Sequence, residues 1–264
     1  MIQHYTSKKI TGPITIDGNL HKPVWHTAEK SPRFVDMVSG KTAFFDTHIA
    51  SVWDEEYLYV AYWVEEPLIR ANCTERDSFV WFDNDVEFFL EGQDCYYELE
   101  INAHNTVYEN FFIWHDALKK GSRFDVPDFD LYTHNVDILA GFQDASRYAK
   151  HPRGKRWAFM DYDLPGLQTA VNINGAINTP DIFSQGWTVE LAIPWKSITP
   201  WFEKRHFPPA HGDILRAAFF RFEALEYHGK IIPESIGWAL NEHGVYDSHL
   251  PEHFSYLHFD SGTV

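Results

Sequence analysis

Four acidic side chains, Asp85, Glu87, Glu98 and Glu100, alternate with apolar residues in two neighbouring runs of the chain. The first run is Trp81-Phe82-Asp83-Asn84-Asp85-Val86-Glu87-Phe88-Phe89-Leu90 and the second is Cys95-Tyr96-Tyr97-Glu98-Leu99-Glu100-Ile101-Asn102-Ala103-His104, with Glu91-Gly92-Gln93-Asp94 between them. Strand side chains alternate between the two faces of a sheet, so a hairpin built from these runs sorts them cleanly. Asn84, Val86, Phe88, Leu90, Tyr97, Leu99, Ile101 and Ala103 fall on one face, which is mostly apolar and reads as core. Trp81, Asp83, Asp85, Glu87, Glu98, Glu100, Asn102 and His104 fall on the other. A simple four-residue loop predicts Glu87 opposite Glu98, Asp85 opposite Glu100, Asp83 opposite Asn102 and Trp81 opposite His104.

Side chains directly opposed in a sheet have Cβ atoms roughly 5 Å apart, and like charges there destabilise it. Two unit charges at about 4 Å repel by about 1 kcal/mol in water and by several times that near a protein surface. Two such pairs on one face call for a compensator: a metal ion, a shared proton, a nearby arginine, or a ligand rich in hydroxyl donors. Asp83, Asn84 and Asp85 supply the hard oxygens that calcium takes, so Asp83 and Asp85 are the candidate metal ligands. Opposed carboxylates also suit acid–base chemistry, which makes Glu87, Glu98, Asp85 and Glu100 candidate catalytic groups for a hydrolase or lyase. Arg76 and Asp77, just upstream, read by default as a surface pair that contributes little; the alternatives are an ion pair that orders the hairpin or an arginine lent to its carboxylates. A face whose carboxylates merely splay into solvent is the structural alternative. Zinc is disfavoured despite 15 histidines, because no H-E-x-x-H motif occurs and Pro251 separates His249 from His253. Neither a phosphate-binding glycine loop nor a nucleophile elbow is found.

The chain of 264 residues is 44% hydrophobic and 17% aromatic, enough for a sizeable core in one domain spanning 1–264. Its net charge of −16 repels polyphosphates and anionic bilayers, which argues against nucleic acid and membrane partners. The start of the sequence lacks an apolar stretch of secretory length, from which a cytoplasmic location is expected. Two cysteines, Cys73 and Cys95, are expected to be free thiols, and the sequon Asn72-Cys73-Thr74 to be coincidental.

Several elements must position the acidic hairpin. Ile14 to Gly18 reads as a short strand entering an Asp-Gly turn, and His48–Trp53 with Tyr57–Val64 as a hairpin around Asp54-Glu55-Glu56. Thr106–Trp114 continues the sheet. From about 115 to 165 the periodicity fades into a long irregular insertion, of the kind that is functional or mobile. Strand texture returns at Leu167–Ile173, Trp187–Ile193, Leu215–Phe222 and Phe254–Phe259, with one helical turn at Pro194–Ile198. Many short strands and few short helices predict an all-β fold, an antiparallel, jelly-roll-like β-sandwich.

Four stretches resemble the family 9 carbohydrate-binding modules and their family 9-like relatives. They are Ile14 to Trp25 with its Ile-Asp-Gly and Pro23; Val52-Trp53-Asp54 with Tyr57-Leu58-Tyr59-Val60; Asp77 to Leu90 with Tyr96 to Asn102; and Gly186 to Trp195 with a closing Pro251 and Phe254. They occur in the family's order from end to end, and the 115–165 insertion resembles the larger family 9-like proteins. The resemblance implies a β-sandwich, often with structural calcium, that clamps a sugar between two tryptophans. By position Trp81 matches the first clamp and Glu87 the carboxylate after it. Glu98, Glu100 and Asn102 stand where the family has Gln, Arg and Asn. The second clamp tryptophan is missing from Gly244–Pro251, where Tyr246 and His249 are the candidates to replace it.

The residues themselves suit a sugar. A pyranose presents apolar C–H faces to an aromatic plane and hydroxyls to ionised acceptors. The expected protein therefore binds a small glycan or sugar chain end through Trp81, Glu87, Glu98, Glu100, Asn102, His104, Tyr246 and His249, alongside a partner glycan-processing enzyme. The alternatives are a glycan-active hydrolase or lyase using the opposed carboxylates, and an interaction module whose acidic face holds calcium without binding sugar.

Overall fold

The apolar run from Thr47 to Val64 folds as the expected hairpin, with Ala50 paired to Ala61 and Val52 to Tyr59. Asp54 fixes its turn, accepting the amides of Glu56 and Tyr57 at 2.8 Å, as Asp does in Asx turns. The structure, a computed structural model, describes residues 1–139, 151–227, 230–232 and 236–262. In chain order the strands are β1 (His4–Lys9), β2 (Val35–Asp36), β3 (Thr47–Trp53), β4 (Tyr57–Val64), β5 (Asp85–Glu91), β6 (Cys95–Asn102), β7 (Val107–Trp114) and β8 (Val136–Leu139). There follow β9 (Arg156–Phe159), β10 (Gln168–Asn174), β11 (Gly186–Pro194), β12 (Ile214–Glu223), β13 (Glu226–Tyr227), β14 (Lys230–Ile231), β15 (Ile236–Ala239) and β16 (Ser255–Asp260). Helix among the described residues is limited to α1 (Pro23–Thr27), α2 (Trp195–Ile198) and single 3-10 turns, and none is long and apolar enough to cross a membrane.

Hydrogen bonding runs in the order β10-β11-β4-β3-β1-β16-β12-β5-β6-β7-β9-β8, with β15 on β12 and β2 on β15. The path folds back on itself. Ile49, Val60, Tyr62 and Val189 from one half share a core with Val86, Phe88, Leu99 and Phe219 from the other. The Tyr62 and Phe219 rings meet across that core at 6.3 Å, and the Tyr62 hydroxyl donates to the Glu87 carbonyl at 2.7 Å. Burying an aromatic of this size contributes about 2–3 kcal/mol, so the two halves hold each other as the layers of an all-β sandwich.

One departure from the expected antiparallel pattern lies at the seam. β1 runs parallel to both β16 and β3, while the other described pairings are antiparallel. Its sequence, His4-Tyr5-Thr6-Ser7-Lys8-Lys9, is too polar to announce a strand, yet Tyr5 and Ser7 are buried on alternate positions and Ser7 Oγ meets Ser51 Oγ at 2.9 Å. Ile14 to Gly18, conversely, is not a strand. Its Asp17-Gly18 turn is held by two amides that donate to Glu190.

The 115–165 stretch is less irregular than expected. It carries β8 and β9, which extend the sheet beyond β7, and a 3-10 turn at Pro127–Phe129. Its residues 140–150 lie outside the described ones, and with them any closure over the site. The outer face of the second layer is also apolar in part, with Phe89, Tyr96, Phe112, Phe220 and Phe254 packed together. The segment from Asn241 to Phe254 covers this face, and the candidate site lies between the two.

Candidate functional site

β5 and β6 form the acidic hairpin, but in a register two residues from the expected one. A two-residue turn, Gln93-Asp94, closes it: the Gly92 N–H donates to the Cys95 carbonyl at 2.9 Å, and Asp94 adopts a φ of 61°. Gly92 has no room for a side chain, since a Cβ would lie 2.5 Å from Cys95 Sγ and 3.0 Å from Trp201 Cβ. Glu87 therefore faces Glu100, Asp85 faces Asn102, and Glu98 faces Phe89. A shift of two keeps every side chain on its face, so Asp85, Glu87, Glu98 and Glu100 still share one surface.

That surface is the floor of a cavity of about 500 Å³. Glu87, Glu98 and Glu100 line it with Tyr108, Asn110 and Phe112 of β7, while Trp81 and Phe82 form one side. Ile138, Leu139, Ala158 and Met160 from the 115–165 stretch add an apolar wall, and Tyr246, Ser248 and His249 supply the C-terminal wall. A volume of this size, mostly apolar with a few convergent polar groups, is typical of small-molecule sites.

Trp81 is in the cavity but not on the strand. It sits in the 3-10 turn Val80–Phe82 ahead of β5, half-buried, so it does not oppose His104. Its ring stacks on Phe79 at 4.4 Å and meets Tyr108 edge-on at 5.1 Å, which fixes its plane. His104 is exposed in the turn after β6 and lies outside the cavity lining. Asn102, fully buried, is also withdrawn from it. Its amide donates to the Cys73 carbonyl at 2.8 Å and to Asp83 at 3.0 Å, and its Oδ1 accepts the amides of His104 and Thr106 at 3.0 Å.

Asp83, the other candidate metal ligand beside Asp85, has a structural task of its own. It accepts the amides of Asn72 and Cys73 at 2.8 and 2.7 Å as well as Asn102, which anchors the loop before the hairpin. Burial works against its charge, but these donors win and hold the carboxyl below its ordinary range. Both thiols are free, as expected. Arg76 makes the expected contact with Asp77 at 3.7 Å, but its guanidinium turns to Glu109 and Asp163, away from the hairpin carboxylates.

The remaining acids stay without such help. Burial, then the repulsion of neighbouring carboxylates, pushes Asp85, Glu87, Glu98 and Glu100 well above the ordinary range. The Phe222 and Trp81 amides oppose this rise at Asp85 and Glu100, the Phe222 amide from outside hydrogen-bonding geometry. His249 is 4% exposed, with Nδ1 3.1 Å from the Tyr96 hydroxyl and Nε2 3.5 Å from Glu98. Burial, aided by Arg156, keeps its imidazole neutral to well below the usual pH. Tyr246 is half-buried and packs edge-on against Phe222 at 5.7 Å.

Asp85, Glu87 and Glu100 each present one oxygen within 4.8 Å of the others'. A hard cation would find more carboxylate oxygens at this trio than at Asp83 with Asp85, because Asp83 Oδ2 already accepts three N–H donors. Tyr108, Asn110, Phe112 and Phe222 are cavity residues that the sequence reading passed over. The alternation of β7 and β12, with Glu109, Phe111 and Phe219 turned to the core, would have placed them on the acidic face.

The fold and cavity together define a β-sandwich with a cavity on the outer face of one layer. The resemblance to family 9 modules holds: residues 41–127, which include the hairpin and β7, match the model for carbohydrate-binding family 9. Three solved structures share the fold. A protein from Bacteroides uniformis, provisionally named as carbohydrate-binding, aligns with a TM-score of 0.61 at 15% identity, over 98% of this chain and 100% of its own. A family 9 module from Caldicellulosiruptor kristjanssonii in complex with cellotriose gives 0.52 at 14% identity, over 98% and 94%. The same organism's module in complex with glucose gives 0.50 at 14% identity, over 97% and 96%. Among curated proteins none matches the sequence.

Proposed function

We propose that this protein binds carbohydrate, taking a small glycan or sugar chain end into the cavity between Trp81 and the Tyr246–His249 wall. One observation carries the reading: a fixed tryptophan face stands beside buried carboxylates on the strands that match the family 9 model. Trp81 offers the apolar face of a pyranose a rigid platform, and Glu87, Glu98 and Glu100 offer its hydroxyls strong acceptors. Tyr246, less buried than His249, is the ring suited to the far side of the sugar. The crystallised relatives that hold glucose and cellotriose support the ligand class. A module of this kind would serve a glycan-processing enzyme by holding its substrate or product.

Isothermal titration against glucose, cellotriose and a wider panel of oligosaccharides tests the reading. Saturable binding is expected, weakened at least about tenfold, or 1.4 kcal/mol, in Trp81→Ala. A full panel without heat would refute it.

A second reading is favoured by the closely spaced carboxylates, whose pKa burial and mutual repulsion push upward as in the acid–base pairs of glycan hydrolases. Products in the titration cell, abolished by Glu98→Gln, would establish turnover; recovery of intact sugar would eliminate it.

A further inference from the structure

Asp85 and Glu87 are two residues apart on β5, and Glu100 faces Glu87 from β6, so all three side chains leave the same face of adjacent strands. Asp85 is fully buried, and Glu87 and Glu100 are 4% and 3% exposed. Among the described residues, both oxygens of Asp85, Oε2 of Glu87 and Oε2 of Glu100 have no hydrogen-bond partner. Buried carboxylates left this way cost several kcal/mol each, by the order of magnitude of ionic desolvation.

Among the described residues no basic side chain makes up the deficit, and no ion pair reaches any of the three. Arg76 is engaged by Glu109 and Asp163, Arg221 by Glu223, and Arg70 lies toward Asp83. His249 lies against Glu98.

We propose that Asp85, Glu87 and Glu100 together bind one hard divalent cation, calcium foremost, at the floor of the cavity. Oxygens that share a calcium ion at 2.3–2.6 Å lie at most about 5 Å from one another, and the three offered here lie within 4.8 Å. An all-carboxylate donor set without sulfur or imidazole favours calcium, magnesium or manganese over zinc or copper. Calcium takes six to eight oxygens, and three carboxylates leave some of those positions to water or ligand. Glu87 and Glu100 line the cavity whereas Asp85 lies behind them, so the open positions face the cavity. Resting on the sugar-binding reading above, the same ion supplies a second element of recognition: vicinal hydroxyls of the glycan complete its coordination.

The test is calcium titration of chelator-stripped protein by calorimetry, with melting followed in parallel, and then sugar titration with and without calcium. Saturable binding is expected, with a rise in Tm, and at least a tenfold weakening in Asp85→Asn and Glu100→Gln. Terbium in place of calcium supplies a check that needs no carboxylate variant: sensitised luminescence should fall in Trp81→Phe, whose calcium affinity should persist. Calcium, magnesium and manganese all failing to bind the stripped wild-type chain would overturn the site, as would binding indifferent to both carboxylate variants with terbium emission indifferent to Trp81→Phe. Calcium bound with no sugar taken up would leave the site standing and sink the glycan reading. Sugar bound equally well in chelator by a chain that takes up no cation would do the reverse.

Discussion

Two regions of this sandwich bury carboxylates, and they treat them in opposite ways. In the layer of β3, β4 and β11 each buried acid is surrounded by donors. Glu190, with no exposed side-chain surface, accepts from the amides of Asp17 and Gly18, from Lys22 and from the Trp25 indole at 2.7 Å. Glu66 accepts from the Trp187 indole at 2.6 Å, the Asn84 amide at 2.7 Å and the Arg70 N–H at 2.9 Å. On the outer face of the other layer, Asp85, Glu87 and Glu100 are just as buried and keep unpartnered oxygens. The same side-chain type is thus a structural pin in one place and an unmet demand in the other. Buried polar groups in folded proteins are nearly always satisfied, and it is this unmet demand that the proposed cation would meet.

The largest effect should come from the satisfied side. Glu190→Ala leaves Lys22 and the Trp25 indole without their acceptor and opens two turn amides as well. Breaking a buried pair from one side costs about 3–5 kcal/mol, which denaturant titration would read as a large fall in the unfolding midpoint. A loss below about 1 kcal/mol would mean that the pinned acids are as dispensable as any surface charge, and the contrast would dissolve.

The cavity half also keeps its bases neutral, and pH reads this out. His243 is buried against Phe220, with the Asp247 carbonyl on Nδ1 at 2.9 Å and the His253 ring 5.3 Å away. Burial lowers its pKa to about 4, with His253 pushing the same way and the Asp247 carbonyl and Glu252 opposing. Above pH 6.5 neither state is protonated and the group contributes nothing. Between 6.5 and 4 the unfolded chain takes up a proton that the native state refuses, so stability falls as pH drops. The effect reaches about 3 kcal/mol by pH 4 and levels off below it. Unfolding midpoints from pH 7.5 to 4.5 should therefore decline less steeply in His243→Gln than in the wild type. Parallel curves would show that this imidazole is charged in the native state.

How far the sequence disclosed this contrast differs from element to element. The core hairpins were legible because Val86, Phe88 and Leu90 alternate with a period of two and because Tyr57–Val64 is apolar at nearly every position. The hairpin register was not, because the tight turn at Gly92 depends on Trp201, more than a hundred positions away. β1 was hidden by its lysines and histidine, and β8 and β9 by their brevity inside a loop-like stretch. For the site, period two placed the four acids on one face correctly. The tasks of Asp83 and Asn102 escaped because their partners are backbone groups of Asn72, Cys73 and Thr106, which carry no residue signature. Tyr246 and His249 came into view through the family resemblance, since spacing alone cannot say which distant loop will cover a sheet.

The smallest expected effect is also the sharpest, because it has the opposite sign to the first. In chelator, Glu100→Gln removes one of the mutually repelling charges and gives the cluster an amide that can donate to Glu87, its cross-strand neighbour. The metal-free variant should therefore be more stable than the wild type, by about 1 kcal/mol. Adding calcium should erase that advantage, since the wild type gains the binding energy and the variant gains less of it. Both measurements are thermal melts of the same two proteins. Should Glu100→Gln lose stability in chelator as Glu190→Ala does, the cavity acids would be pins like the others, held by partners inside the fold and not by an ion or a sugar.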